Sequence, residues 1–149
     1  EELGFKYDSS RLDFSARHSS FVNMEGFEKI SSEIYKKDDF FEFGLSTQKI
    51  FGKKFPVSGG GYIRIANWTF IQSILGKYIK KNNSYVFYLH PFELSKEKMP
   101  RLKKLKLYDR YYLSAGMLSY SYKIEYIIKK LKKQGYEFLT FEDVAREVM

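Results

Sequence analysis

The sequence predicts an α/β fold built from parallel strand–helix units, and three observations carry that reading. Strand-like and helix-like segments alternate along most of the 149 residues. A continuous apolar run, Tyr85 to Leu89, is bracketed by Asn82-Asn83 and His90-Pro91, the pattern of a strand buried on both faces. Two further segments place apolar residues at helical spacing and end on recognisable stop signals.

In chain order, Glu1-Glu2-Leu3-Gly4-Phe5 reads as the last turn of a helix, a Gly stop and a strand entry, so the chain is expected to continue a longer one. Phe5 to Asp8 alternates as a short strand and meets Ser9-Ser10. Arg11 to Asp39 is a weakly patterned excursion, with a short helix expected near Gly26 to Tyr35. Residues 40–51 return to a strand-like pattern, and Phe55 to Tyr62 is a loop with three consecutive glycines. A helix capped by Asn67 follows, with Trp68, Ile71, Ile74, Leu75, Tyr78 and Ile79 on one face. After the strand Tyr85–Leu89, Pro91 forbids continuation of the ladder. Residues 92–117 form a second long connection, basic and aromatic. The next helix is expected from about Ser119 to Gln134, with Tyr120, Ile124, Ile127, Ile128 and Leu131 inward and Gly135 as its stop. Tyr136 to Leu139 reads as a last strand, and Thr140 to Asp143 as a capping box opening a final helix.

Composition narrows the function classes. Hydrophobic residues make up 44% and aromatic residues 19%, more aromatic surface than a small core needs, as in sugar-binding clefts and many protein interfaces. The net charge of +8 fits either an anionic partner or lysine-rich solvated helix faces such as Lys129, Lys130, Lys132 and Lys133. No motif that reads RNA or DNA supports nucleic acid as a partner. The absence of Cys excludes disulfides, thiolate metal sites and a cysteine nucleophile. No window approaches the ~18 apolar residues of a membrane span.

His90 is the sharpest chemical signal. It stands at the C-terminal end of a buried strand, where open sheets and barrels place their ligands, and imidazole exchanges protons near neutral pH. Asp8 holds the corresponding place on the first strand; it could orient an imidazole, bind a substrate hydroxyl, or simply cap the turn at Ser9-Ser10. Ser58-Gly59-Gly60-Gly61-Tyr62 lacks the endings of phosphate and dinucleotide loops. Its glycines imply a backbone that turns sharply or approaches a ligand closely, or else a plain flexible loop. Glu42 lies among aromatics and needs a partner. His18 sits in a polar, solvated stretch. Two isolated histidines give no metal-ligand spacing.

Taken together, Leu3 to Ser10, Phe41 to Thr47, Pro56 to Tyr62 and Phe87 to Leu94 resemble, in this order, the polysaccharide deacetylases of exopolysaccharide and O-antigen biosynthesis. That group is a branch of the NodB-homology deacetylases, and the resemblance runs from Leu3 to about Val148. It implies the C-terminal half of a deformed (β/α) barrel over residues 1–149. The activity it implies is hydrolysis of the acetamide of N-acetylated amino sugars in a bacterial surface polysaccharide. The general acid of that reaction is matched by His90, and the acetyl-pocket leucine by Leu89. Asp8 falls near the family's late acidic motif, and Gly60, Gly61 and Tyr62 match an active-site loop. Leu89 and Tyr62 are accordingly expected to border one cleft. The family's metal, usually zinc, is held by early motifs that this sequence lacks. The chain alone is therefore expected to bind no zinc in the family manner and to be inactive, its partners being the N-terminal half and the glycan. An exposed strand edge would also favour a homo-oligomer. Two rival readings stand beside this one: a related hydrolase of small amides, and a basic, aromatic module that binds glycan or nucleic acid without catalysis.

Overall fold

The computed structural model describes residues 4–12, 23–95 and 105–148. Its larger sheet is organised on the aromatic segment Phe40-Phe41-Glu42-Phe43. Strands β1 (Tyr7–Asp8), β2 (Glu28–Ser31), β3 (Ile34–Lys37) and β4 (Phe40–Phe43) lie in the order β1-β4-β3-β2. β1 runs parallel to β4, pairing Tyr7 with Phe41 and Asp8 with Glu42, while β2, β3 and β4 form an antiparallel meander. The β3–β4 turn puts Asp38 at φ 52°, the left-handed conformation that tight hairpins require and that Asp tolerates. β5 (Thr47–Ile50) and β6 (Lys53–Pro56) make a separate hairpin. Among the described residues five helices follow: α1 (Gly60–Ile65), α2 (Trp68–Ile79), α3 (Leu107–Ser114), α4 (Met117–Lys133) and α5 (Phe141–Val148), with a short 3-10 helix at Pro91–Leu94. Among the described residues no helix is long and apolar enough to cross a membrane.

The local signals for the helices hold. Asn67 Oδ1 accepts the Phe70 N–H at 3.1 Å and opens α2, which buries Ile71, Ile74, Leu75, Tyr78 and Ile79. α4 buries Tyr120, Ile124, Ile127 and Leu131 as expected, but Ile128 is left exposed and Lys123 is buried instead. Gly135 takes φ 83°, and the Tyr136 N–H reaches back to the Leu131 carbonyl at 3.1 Å, closing the end of α4 as a left-handed glycine does. Thr140 and Asp143 cap α5 reciprocally.

Five segments differ from the sequence reading: the connection read over residues 92–117 contains α3, the loop read over Phe55 to Tyr62 contains the end of β6 and the first turn of α1, and three more depart in kind. The helix expected near Gly26 to Tyr35 is the β2–β3 hairpin, because pairing with β4 lets Ile34 reach the core, and no helical stripe competes with it. The expected strands at Tyr85–Leu89 and Tyr136–Leu139 form no ladder among the described residues. A ladder needs a neighbour on which to spend its N–H and C=O groups. The backbone of Tyr85–Leu89 bonds to the sheet's continuation at Ser46, whose Oγ accepts the Val86 N–H at 2.8 Å and whose N–H donates to the Val86 carbonyl at 3.4 Å.

The side chains of that segment still serve two faces. Val86 joins Ile34, Phe41, Phe43 and Ala145 in a core between the sheet and α5, where the Phe43 and Phe141 rings stack at 4.2 Å. Tyr85, Phe87 and Leu89 pack on a second core formed mainly by α2 and α4. The Tyr78 hydroxyl binds this seam, donating to the Ser84 carbonyl at 2.9 Å and lying 3.1 Å from Ser46 Oγ, and burial pushes its pKa up to about 12. Ser46→Ala removes the acceptor for a buried backbone N–H and one partner of a buried hydroxyl. It should cost about 1–3 kcal/mol, read as a lower urea midpoint with an unchanged slope.

Candidate active site around His90

The tri-glycine loop owes its composition to what presses on it. Gly59 takes φ 91° and turns the chain into α1. At Gly60 a Cβ would stand 1.7 Å from Glu93 Oε2, and at Gly61 it would stand 2.4 Å from the Tyr112 hydroxyl. The loop therefore turns sharply at Gly59, and at Gly60 and Gly61 the protein's own carboxylate and phenol occupy the space that side chains would fill.

α1 then projects Arg64 inward. Its Nε lies 3.1 Å from Glu93 Oε1, and each of these side chains is only 1% exposed. The remaining guanidinium nitrogens donate to the carbonyls of Tyr112, at 2.8 Å, and Ala115, both at the C-terminal end of α3. Lys123 Nζ in turn donates to the Ile63 and Arg64 carbonyls at 3.0 and 2.9 Å, closing the end of α1. Burial, and then Arg64, lowers the Lys123 pKa. Glu93 uses its second oxygen to accept the His90 N–H at 3.0 Å, and its own N–H donates to the His90 carbonyl at 2.9 Å. The His90 backbone is thus held at both its polar groups by one residue.

The imidazole stands among rings. Tyr88 meets it edge-on and Phe92 lies nearly parallel to it, each with centroids 5.5 Å away. Tyr62 is half-buried, and its pKa is raised by burial first and then by Tyr112, Tyr88 and Tyr108 nearby. Tyr108 and Tyr112 stack along α3, a helix with no buried residue. Below lies Tyr120, fully buried, with its hydroxyl lacking a hydrogen-bond partner among the described residues. Its pKa is raised by burial and then by Glu93.

A family model described as a domain of unknown function (DUF3473) matches residues 10–145. The chain belongs to that family. No curated protein and no solved structure matches it. The DUF3473 match contains the glycine loop, Arg64, His90, Glu93 and α3, whereas Asp8 precedes it.

Of the residues singled out in the sequence, Gly60, Gly61, Tyr62 and His90 come together in this DUF3473 domain, joined through Glu93 and the tyrosines. Leu89 faces elsewhere. It lines an apolar cavity of about 860 Å³ with Val86, Ile124, Leu131 and Phe141, and Tyr62 does not contribute to that cavity. Asp8 is exposed, accepts from Ser9 N–H and Ser10 Oγ, and makes no hydrogen bond to His90 among the described residues. Its neighbour Glu42 found the partners it needed: the Ser10 and Arg11 N–H groups at 3.1 and 2.8 Å. His18 lies outside the described residues. No group of three potential metal ligands occurs among the described residues.

Arg64 and Glu93 escaped the sequence reading although each left a trace. Arg64 is a lone cation between Ile63 and Ile65, and a charge in such company needs a partner. Glu93 follows His90 by three residues across a proline, the spacing of a capping box.

Two outcomes follow from this geometry. Gly60→Ala should displace Glu93 and cost about 1–3 kcal/mol by overpacking, whereas Gly76→Ala in α2, whose Cβ meets only the flexible end of Lys130 at 3.4 Å, should stabilise by roughly 0.5–1 kcal/mol; urea titrations of both variants test the contrast. The buried Glu33, which accepts from Thr47 Oγ1 at 3.1 Å, has its pKa raised above 4.5 by desolvation. A carboxyl with a raised folded pKa takes its proton first in the fold. Its contribution to stability therefore grows as pH falls through the raised value toward 4.5 and is least at neutral pH. Glu33→Gln keeps an acceptor for Thr47, so its melting midpoint at neutral pH should match or exceed the wild type, with a flatter profile on acidification.

Proposed function

We propose that this DUF3473 chain is the C-terminal part of a NodB-type polysaccharide deacetylase, hydrolysing the acetamide of N-acetylated amino sugars with His90 as general acid. The observation that carries the reading is spatial. Gly59-Gly60-Gly61-Tyr62 and Leu89-His90-Pro91 are specific to the resemblance as a pair, and Glu93 touches both, lying against Gly60 and bonding His90. In the same reading the sheet and the segments Tyr85–Leu89 and Tyr136–Leu139 belong to the C-terminal half of a deformed (β/α) barrel.

The chemistry asks little of this chain beyond a proton and a wall. Water adds to the acetamide carbonyl, the C–N bond breaks, and the departing amine nitrogen must take a proton because an amide anion is a poor leaving group. An exposed imidazole at the rim of the site is placed to supply that proton. The exposed faces of Tyr88, Tyr108 and Tyr112 offer flat apolar surfaces with polar tips, which suit sugar rings. The divalent metal implied by the resemblance, zinc in most of the family, does not fit the described residues: His90 is ringed by Tyr88 and Phe92, with no second ligand cluster beside it. No step through a metal is assigned to this chain, and its ligands would come from residues outside it.

The rival reading, a glycan-binding module without catalysis, is favoured by the exposure of Leu107, Tyr108 and Tyr111 on α3. His90→Ala separates the two. In the full-length protein it should lower kcat for acetate release from an N-acetylated oligosaccharide by about 10²–10⁴-fold while retaining oligosaccharide binding. Unchanged acetate release would remove His90 from the chemistry, and binding without any acetate release by the wild type would favour the module.

A further inference from the structure

We propose that Glu93 is a positioning residue for His90, and that Arg64 is the buried cation that holds Glu93 in place while tying the tyrosine helix α3 to the same turn. The inference rests on His90 being the acting group, as read above.

Three observations support it. Both backbone polar groups of His90 are bonded to Glu93, the N–H to its carboxylate and the carbonyl to its N–H. The imidazole is exposed and its ring neighbours are Tyr88 and Phe92, so its aim follows the backbone turn. Arg64 spends its donors on Glu93 and on the α3 carbonyls of Tyr112 and Ala115, so the turn and the aromatic wall share one guanidinium. A fold in need of stability alone would not require this arrangement, because apolar residues of similar volume often replace a buried ion pair at no loss. What they cannot replace is direction.

The test uses that difference. In the full-length protein, Arg64→Met with Glu93→Met is compared with Glu93→Gln and the wild type. Three quantities are read: the melting midpoint, kcat and KM on an N-acetylated chito-oligosaccharide, and the imidazole ¹H–¹³C signal of His90, assigned by its loss in His90→Ala. The double variant should fold with a lowered melting midpoint, because the His90 N–H and the α3 carbonyls lose their partners; it should also lose about 100-fold in kcat from misplacement of the acid with KM little changed, and show a shifted, broadened His90 signal. Glu93→Gln retains an oxygen for the His90 N–H and should fall between the two. A folded double variant with wild-type kcat and an unmoved His90 signal overturns the proposal. If the wild type releases no acetate, the deacetylase reading fails, and the His90 signal alone decides: movement upholds positioning and constancy overturns it. Should the double variant not fold, Glu93→Gln gives the same decision through the same signal.

Discussion

Arg64 and Glu93 face each other with almost no contact with water, and stripping two such ions of solvent costs several kcal/mol each. That expense is tolerable only if every donor and acceptor of the pair is used, and here the demand organises the surroundings. The guanidinium completes its bonding at the C-terminal end of α3, where unsatisfied carbonyls and the negative end of the helix dipole favour a cation. Glu93 completes its bonding on the His90 N–H, the start of the 3-10 helix, where a carboxylate is favoured. Lys123 closes the end of α1 from which Arg64 projects. Three charged residues thereby terminate three short helices that could not stand alone.

The same constraint explains the glycines. With Glu93 lodged against α1 there is no space for a Cβ at residue 60, and the junction before α4 passes so near that a Cβ at Gly116 would stand 2.2 Å from the Arg64 carbonyl. Gly116 also needs its positive φ of 73°. A second seam, from Ser46 to Tyr78 and Val86, joins the sheet core to the helical core. Segment Tyr85–Leu89 is therefore anchored near its start by Ser46, and His90 is anchored beyond its end by Glu93.

What the sequence made legible was local. Asn67, Gly135 and the Thr140–Asp143 box act within four residues of themselves, so α2, α4 and α5 could be placed from pattern and cap alone. Ladders are not local. Tyr85–Leu89 has the apolar run of a doubly buried strand and does serve two cores, yet whether it pairs depends on neighbours that its own residues do not specify. β2 and β3 were hidden because their pairing is set by tertiary neighbours: β3 lies on β4, β2 lies on β3, and of their residues Ile34 alone is buried. In the site, His90 and the glycines announced themselves by unusual residue types at unusual places. Arg64 and Glu93 lie 29 residues apart, and only folding shows that two unremarkable charges answer each other. Leu89 was legible as apolar, but the side it faces is set by the alternation that sends Tyr88 and His90 the other way.

The central claim is that Glu93 holds the His90 backbone from a buried position, and amide hydrogen exchange at His90 tests it most directly. His90 is an exposed residue at the head of a single short helical turn, a place where an N–H bonded only to water exchanges at nearly the free rate. The account predicts marked protection of the His90 amide in the wild type. Exchange of that amide at the rate of an unstructured histidine would contradict it.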